Sequence, residues 1–318
     1  MIRRIVADTE LELSVVGFGC WAIGKTYWGE DVDDKISRDA IRTALECGIN
    51  WFDTAPLYGE GHADRILMSA LGADRSAAVI ATKVGVRFGG DGEHASSDLS
   101  PGWIATDTEH SLKRLGVERI DLLQVHWPCE GGTPLEETLE SLEHLREQGK
   151  VQYYGLCNYE AEHVELAGHY PGMVSLQTPF SLLRREFEGS LRDSCTKPKK
   201  LGVLAYEPLC RGLLTGKFTG TPSFPESDLR AWDERFRGRR LLHAQGLVAD
   251  LEKIGDKIGL PTSAVAIGWV ISQPGITAAI AGAKTPEQVR QNARASALVG
   301  KEKVINVIDR VASMHGGS

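Results

Sequence analysis

The sequence predicts a (β/α)8 barrel, one closed sheet of eight parallel strands wrapped by helices, with an N-terminal β-hairpin and extra C-terminal helices. Three observations carry that expectation. Short apolar runs alternate eight times with stretches of helical period, the pattern of βα units. Three of those runs stop at an ionisable side chain and a loop, at Asp53, Lys83 and His126, and barrels keep their chemistry at strand ends. No Pro-rich, Ser-rich or single-charge run divides the 318 residues, so residues 1–318 read as one domain of a length that barrels use.

Taken in order, residues 1–13 alternate polar and apolar side chains around Ala7-Asp8-Thr9 and read as the hairpin. Strand one is 15–18, followed by a loop punctuated by Gly17, Gly19 and Gly24 and carrying Trp21, Tyr27 and Trp28. Ile36, Ala40, Ile41, Ala44 and Leu45 recur at helical spacing over 34–47, and Gly48 ends that helix. Strand two is 49–53, helix two 62–71 and strand three 79–83. A polar loop, 88–100, precedes helix three, with Ser100 as N-cap and Pro101 in the first turn. Strand four ends at His126, and helix four is 135–148. The second half repeats the rhythm with strands at 151–156, 174–177, 202–206 and 277–280, and helices at 160–168, 187–197, 237–258, 262–272 and 286–295. Residues 207–236 have no clear period, and so long an irregular segment is usually functional. A last helix, 301–314, exceeds the eight-unit pattern of a TIM barrel.

Composition narrows the function classes. With 42% hydrophobic and 25% charged residues the chain has an ordinary globular balance. A formal charge of -7 offers no general attraction to nucleic acid, and the basic run from Arg235 to Arg240 is diluted by Asp233 and Glu234, as in a solvated helix start. The six cysteines show no C-x-x-C spacing, and no signal peptide or apolar run near 18 residues is present, which reads as a reduced, cytoplasmic protein without a membrane span. Nine histidines without H-x3-H or H-E-x-x-H spacing give no metal site.

The organising stretch is Trp51-Phe52-Asp53-Thr54-Ala55-Pro56-Leu57-Tyr58-Gly59, a strand that ends in a carboxylate and breaks at proline. If strands two, three and four are parallel neighbours, Asp53, Tyr58, Lys83 and His126 converge at one rim. Such a set suits proton transfer. A tyrosine, with a pKa near ~10, needs a nearby cation to act as an acid at neutral pH, and Lys83 held by Asp53 supplies one.

Asp53 in DTAPLYG, Lys83 in ATK and His126 in QVHWP, together with LCRGLLTGK at 209–217, resemble the aldo-keto reductases of the bacterial NADPH-dependent branch, from Val15 to about Ala295. The resemblance implies a catalytic tetrad of Asp53, Tyr58, Lys83 and His126, with Lys83 lowering the Tyr58 pKa, and a hairpin capping the barrel floor. It implies that Asn158 and Gln177 bind the nicotinamide carboxamide, with Cys157 replacing a serine, and that Tyr206 lies flat on the ring. The loop of Gly212, Leu213 and Lys217 would fold over the pyrophosphate through backbone N–H groups, Leu209 is a further cofactor contact, and Glu207 would turn away or pair with Arg211. Lys284 and Thr285 would hold the 2'-phosphate, with Gln288 and Asn292 near the adenine side, Gly282 a further cofactor contact and Arg230 a further phosphate contact. The cofactor is then NADPH, with NADH open because Gln288 stands where some relatives carry arginine. Trp28, Trp127, the 84–100 loop and the 207–236 segment would wall a pocket for a small carbonyl substrate.

Function expected on these grounds is reduction of an aldehyde or ketone to an alcohol, by a monomer or weak homo-oligomer that binds neither nucleic acid nor membrane. Three alternatives stay open. The same motifs suit a cofactor-binding regulatory subunit like the potassium-channel β subunits; Lys83 suits a Schiff-base aldolase; and Asp53 with Glu207 suits a glycosidase pair.

Overall fold

In the computed structural model, which describes residues 1–25, 28, 32–88, 95–129, 132–197 and 200–315, the chain closes into a barrel. Tyr27 and the 89–94 part of the expected substrate loop lie outside the described residues. A hairpin of β1 (Arg3–Ile5) and β2 (Glu12–Ser14) comes first. The barrel strands are β3 (Val16–Gly19), β4 (Trp51–Asp53), β5 (Val79–Val84), β8 (Ile120–Val125), β9 (Val151–Cys157), β10 (Met173–Pro179), β11 (Gly202–Tyr206) and β12 (Ile276–Gly282). They neighbour one another in that order, all parallel, and β12 pairs back onto β3. A small ribbon, β6 (Val86–Arg87) with β7 (Ser96–Ser97), stands at the rim.

Register decides which side chains face the axis. Asp53 pairs with Ala81, Lys83 with Gln124, Gln124 with Gly155, Cys157 with Gln177, and Gln177 with Leu204. Side chains alternate along a strand, so partners in register and residues two apart share a face. Asp53, Lys83, Cys157, Gln177 and Tyr206 therefore all line the interior, near the C-terminal strand ends.

Two apolar layers support them. Below the site, Trp51, Leu122, Leu204 and Ala278 pack with Val6, Leu11 and Leu13 of the hairpin, which plugs the floor as expected. Gly17 makes room there: a Cβ on it would lie 2.2 Å from the Trp51 ring, whose Nε1 donates to the Ser14 carbonyl at 2.8 Å. The larger layer lies between the sheet and the helices α1 (Asp34–Glu46), α2 (His62–Leu71), α3 (Pro101–Leu115), α4 (Leu135–Glu147), α5 (Ala161–Ala167), α6 (Ser190–Ser194), α7 (Gly238–Ile258), α8 (Thr262–Ile271) and α9 (Pro286–Ala293). The surplus helix, α10 (Glu302–Met314), answers a need of α8, which is buried from Ser263 to Ile271. Asp309 of α10 accepts from Trp269 Nε1 of α8 at 2.9 Å.

Some expectations shift. α6 covers only 190–194 rather than 187–197, because Gly189, at φ 100 and ψ -137, breaks the helical path before it. Ser100 occupies the N-cap of α3 but its side chain makes no cap bond; its own N–H donates to Asp98 Oδ1. The 207–236 segment holds three short 3-10 turns. Arg235, expected in a solvated helix start, instead turns inward to Glu207 and Asp233.

Candidate active site

At the mouth, Lys83 is 1% exposed and Asp53 3%, so the pair must satisfy itself. Lys83 Nζ donates to Asp53 Oδ1 and Oδ2 at 2.8 and 2.9 Å, to the Thr54 carbonyl at 3.1 Å and to Tyr58 Oη at 3.2 Å. An ammonium has three N–H groups. One serves the carboxylate, one the carbonyl and one the phenol oxygen, which leaves the Tyr58 O–H to point elsewhere. The loop carrying Tyr58 is pinned by close backbone approach: a Cβ on Gly59, at φ +64, would lie 2.1 Å from the Gly24 carbonyl oxygen.

Burial alone would discharge Lys83, but Asp53, with help from Tyr58 and Cys157, reverses this and holds its pKa above the ordinary value. Burial pushes the Tyr58 phenol up; Lys83 pulls it back only in part, and Asp53 adds to the rise. Lys83 thus lowers the phenol, as expected, but desolvation outweighs it, and the resting phenol keeps its proton. Burial, reinforced by Lys83, holds His126 well below its usual range, so the imidazole is neutral. Its ring stacks on Trp127 at 3.8 Å and 4°, lies 6.2 Å from Tyr58 edge-on, and its Nδ1 is buried without a protein partner.

A cavity of about 960 Å³ opens above this group, walled by Asp53, Tyr58, His126 and Trp127 at one end and by Gly282, Lys284, Gln288 and Asn292 at the other. Cys157, Asn158, Gln177 and Tyr206 line its depth. Gln177 donates to Asp53 Oδ2 at 2.7 Å and accepts from Cys157 Sγ at 3.4 Å, while Asn158 Nδ2 reaches the His126 carbonyl and Cys157 Sγ, and its Oδ1 accepts from Tyr206 at 2.7 Å. Gln177 therefore keeps one N–H and one lone pair, and Asn158 one lone pair, capacity that suits a primary carboxamide. Cys157 is a weak partner, its thiol pushed up to about 12 by burial.

Along the wall, Lys217, Arg230 and Lys284 gather. Burial above all, with Arg230 and Lys284 adding to it, lowers the Lys217 pKa to about 8. Arg230 chelates Asp228 at 2.9 and 2.6 Å, and Lys284 Nζ donates to the Trp28 carbonyl at 2.7 Å. Trp28, Leu209 and Gly212 also face the cavity. Glu207 pairs with Arg211 at 2.8 Å, as expected, and Arg211 and Arg235 both bridge Glu207 to Asp233.

Two expected residues do not bring their side chains to the wall. The Leu213 side chain is turned into the apolar layer at 3% exposure, its expected contact being through the backbone, and the Thr285 hydroxyl caps α9 by accepting from Gln288 N. Conversely, Trp21, Arg184 and Ser263 line the cavity without having been singled out. For Trp21 the signal was its place just after a strand end; Arg184 and Ser263 have none in the sequence. Among the described residues no His, Cys, Asp or Glu cluster could hold a metal, and no helix is long and apolar enough to cross a membrane.

A buried acid–base group at the C-terminal mouth of a parallel barrel, opening onto a cation-edged cavity, is the layout of a barrel enzyme. The chain belongs to the aldo/keto reductase family, whose profile matches residues 15–313. It is 37% identical over 287 residues to the aldo-keto reductase YhdN of Bacillus subtilis, covering 89% of this chain and 85% of that one. To the NADH-specific methylglyoxal reductase of Escherichia coli it is 32% identical over 302 residues, 91% and 92% of the two chains. A putative voltage-gated potassium channel subunit beta of Schizosaccharomyces pombe matches at 29% over 327 residues, 97% and 92%. The solved glycerol dehydrogenase AKR11B4 from Gluconobacter oxydans superposes with a TM-score of 0.90 at 33% identity, covering 99% and 96%. The protein is therefore an oxidoreductase of a family that uses NAD(P)H on small carbonyl compounds.

Proposed function

We propose that the protein reduces a small aldehyde or ketone to an alcohol with NADPH, Tyr58 acting as general acid. The carrying observation is the three-donor arrangement of Lys83, which gives Tyr58 Oη an N–H and frees its own proton for the cavity. Reduced nicotinamide, when bound, supplies the hydride. Gln177 and Asn158 would hold its carboxamide, and Tyr206 would offer the ring a face. As charge develops on the substrate oxygen, Tyr58 delivers its proton and Lys83 stabilises the phenolate left behind. Neutral His126 orients the carbonyl without competing as an acid. Lys217, Arg230 and Lys284 would face the phosphates, and their number favours NADPH; the Escherichia coli relative, titled NADH-specific, makes NADH the comparison to run. Cofactor fluorescence titration with both dinucleotides, followed by turnover on a carbonyl panel, tests this. Tyr58→Phe is expected to lose ~10²- to 10⁴-fold in kcat; near-full turnover in that variant removes Tyr58 from the reaction.

A second reading, a cofactor-binding regulatory subunit, is favoured by the channel-subunit name of one relative. Tight dinucleotide binding with negligible turnover across the panel would support it. Neither other alternative fits the site. A Schiff-base lysine needs a neutral amine, and Lys83 is held charged by Asp53. A glycosidase needs one protonated carboxyl, and Asp53 and Glu207 are both bound to cations.

A further inference from the structure

We infer that Thr54, Asp64 and Arg114 form a positioning relay for Lys83, fixing the Thr54 carbonyl as one of the ammonium's acceptors so that another N–H is directed at Tyr58. This rests on the acid–base reading above. Thr54 follows Asp53 directly, and its two backbone groups are both engaged: its N–H donates to the Ala81 carbonyl at 2.8 Å and its carbonyl accepts from Lys83 at 3.1 Å. The backbone rotation at Thr54 decides where its carbonyl points, and the side chain's anchorage holds that residue in place. Thr54 Oγ1 donates to Asp64 Oδ1 at 2.5 Å, and Arg114 Nε donates to Asp64 Oδ2 at 2.5 Å. Arg114 is steadied in turn by Ser111 Oγ at 2.9 Å.

The relay crosses three elements. Asp64 stands in the first turn of α2 and is 0% exposed, while Arg114 comes from the last turn of α3. A buried carboxylate is expensive to keep, and an apolar pair of similar volume often serves stability as well. What the charged version adds is direction: a carboxylate with one oxygen on Arg114 accepts from the hydroxyl along a single line. Were Thr54 to turn, Lys83 would keep Asp53 but lose its carbonyl acceptor, and the N–H now given to Tyr58 would be free to follow. The three residues thus act through Lys83 and touch neither substrate nor cofactor.

The test reads Lys83 itself. A proton–nitrogen correlation spectrum selective for lysine ammonium groups is recorded on the full chain, with Lys83→Met assigning the resonance. An ammonium held by fixed acceptors exchanges slowly and gives a sharp signal. Thr54→Val, which keeps the shape and removes the hydroxyl, is expected to broaden or abolish it, and Thr54→Ser to retain it. Should Thr54→Val fail to fold, Asp64→Leu/Arg114→Met, which leaves no unpaired charge, takes its place with the same expectation. A sharp, unshifted signal in the variant overturns the relay. In parallel, kcat of Thr54→Val should fall about tenfold, part of the ~10²- to 10⁴-fold due to general acid catalysis, with dinucleotide affinity unchanged and Thr54→Ser restoring it. A wild-type chain without turnover would defeat the functional reading while the spectrum still decides the relay.

Discussion

Lys83 carries charge where the barrel has almost no solvent, and its removal is more than a catalytic lesion. Lys83→Met leaves Asp53 buried without its cation and should destabilise the fold by about 3–5 kcal/mol, whereas Lys83→Met/Asp53→Leu should recover much of that, as urea unfolding can measure. Lys217 offers a pH handle. Its pKa of about 8 means that it is charged at pH 7 and neutral by pH 9.5. A phosphate prefers the ammonium, so dinucleotide affinity should fall as pH rises through 8, by up to about tenfold per unit, and Lys217→Met should flatten the profile in fluorescence titrations. The residue types and places of Asp53, Tyr58, Lys83 and His126 were legible because each follows an apolar run that breaks into a loop. The direction of the Tyr58 shift was not. Sequence shows the cation nearby, but the desolvation that outweighs it depends on packing from strands and loops far along the chain.

At the level of single elements, β3 and β4 meet through one missing side chain. Gly17→Ala would drive a methyl into the Trp51 ring, which is hydrogen-bonded to the Ser14 carbonyl and plugged from below by the hairpin. Overpacking of this kind should destabilise by about 1–3 kcal/mol, lowering the urea midpoint without altering its slope. Long helices with strong period were readable almost to the residue: α2 runs over 62–71 as expected. Short ones were not. Helix six was extended too far in both directions because its apolar spacing continues through Phe187 and Leu191, while Gly189 breaks the backbone path between them. Ser100 was in the right place for a cap, yet Asp98 is the side chain that accepts a backbone N–H there, two residues upstream, a choice that local geometry makes.

For the molecule as a whole, the net charge of -7 and the cation-edged cavity pull in opposite directions. The chain's overall field repels a dinucleotide at long range, and on the proposed function the short-range attraction comes from Lys217, Arg230 and Lys284. Salt separates these scales. The Debye length is about 10 Å at 0.1 M and about 3 Å at 1 M, so added salt first removes the distant repulsion and then weakens the local contacts. NADPH carries one more phosphate than NADH. If that phosphate meets Lys284 at the end of β12, NADPH affinity should fall more steeply than NADH affinity between 0.1 and 1 M potassium chloride, and Lys284→Ala should erase the difference while leaving NADH binding nearly unchanged. Lys284 Nζ spends one of its three N–H groups on the Trp28 carbonyl, which holds the side chain at the cavity edge. A modest, fully salt-sensitive discrimination in favour of NADPH is the expected result. Equal salt slopes for the two dinucleotides would place the extra phosphate away from Lys284 and favour NADH as the working cofactor.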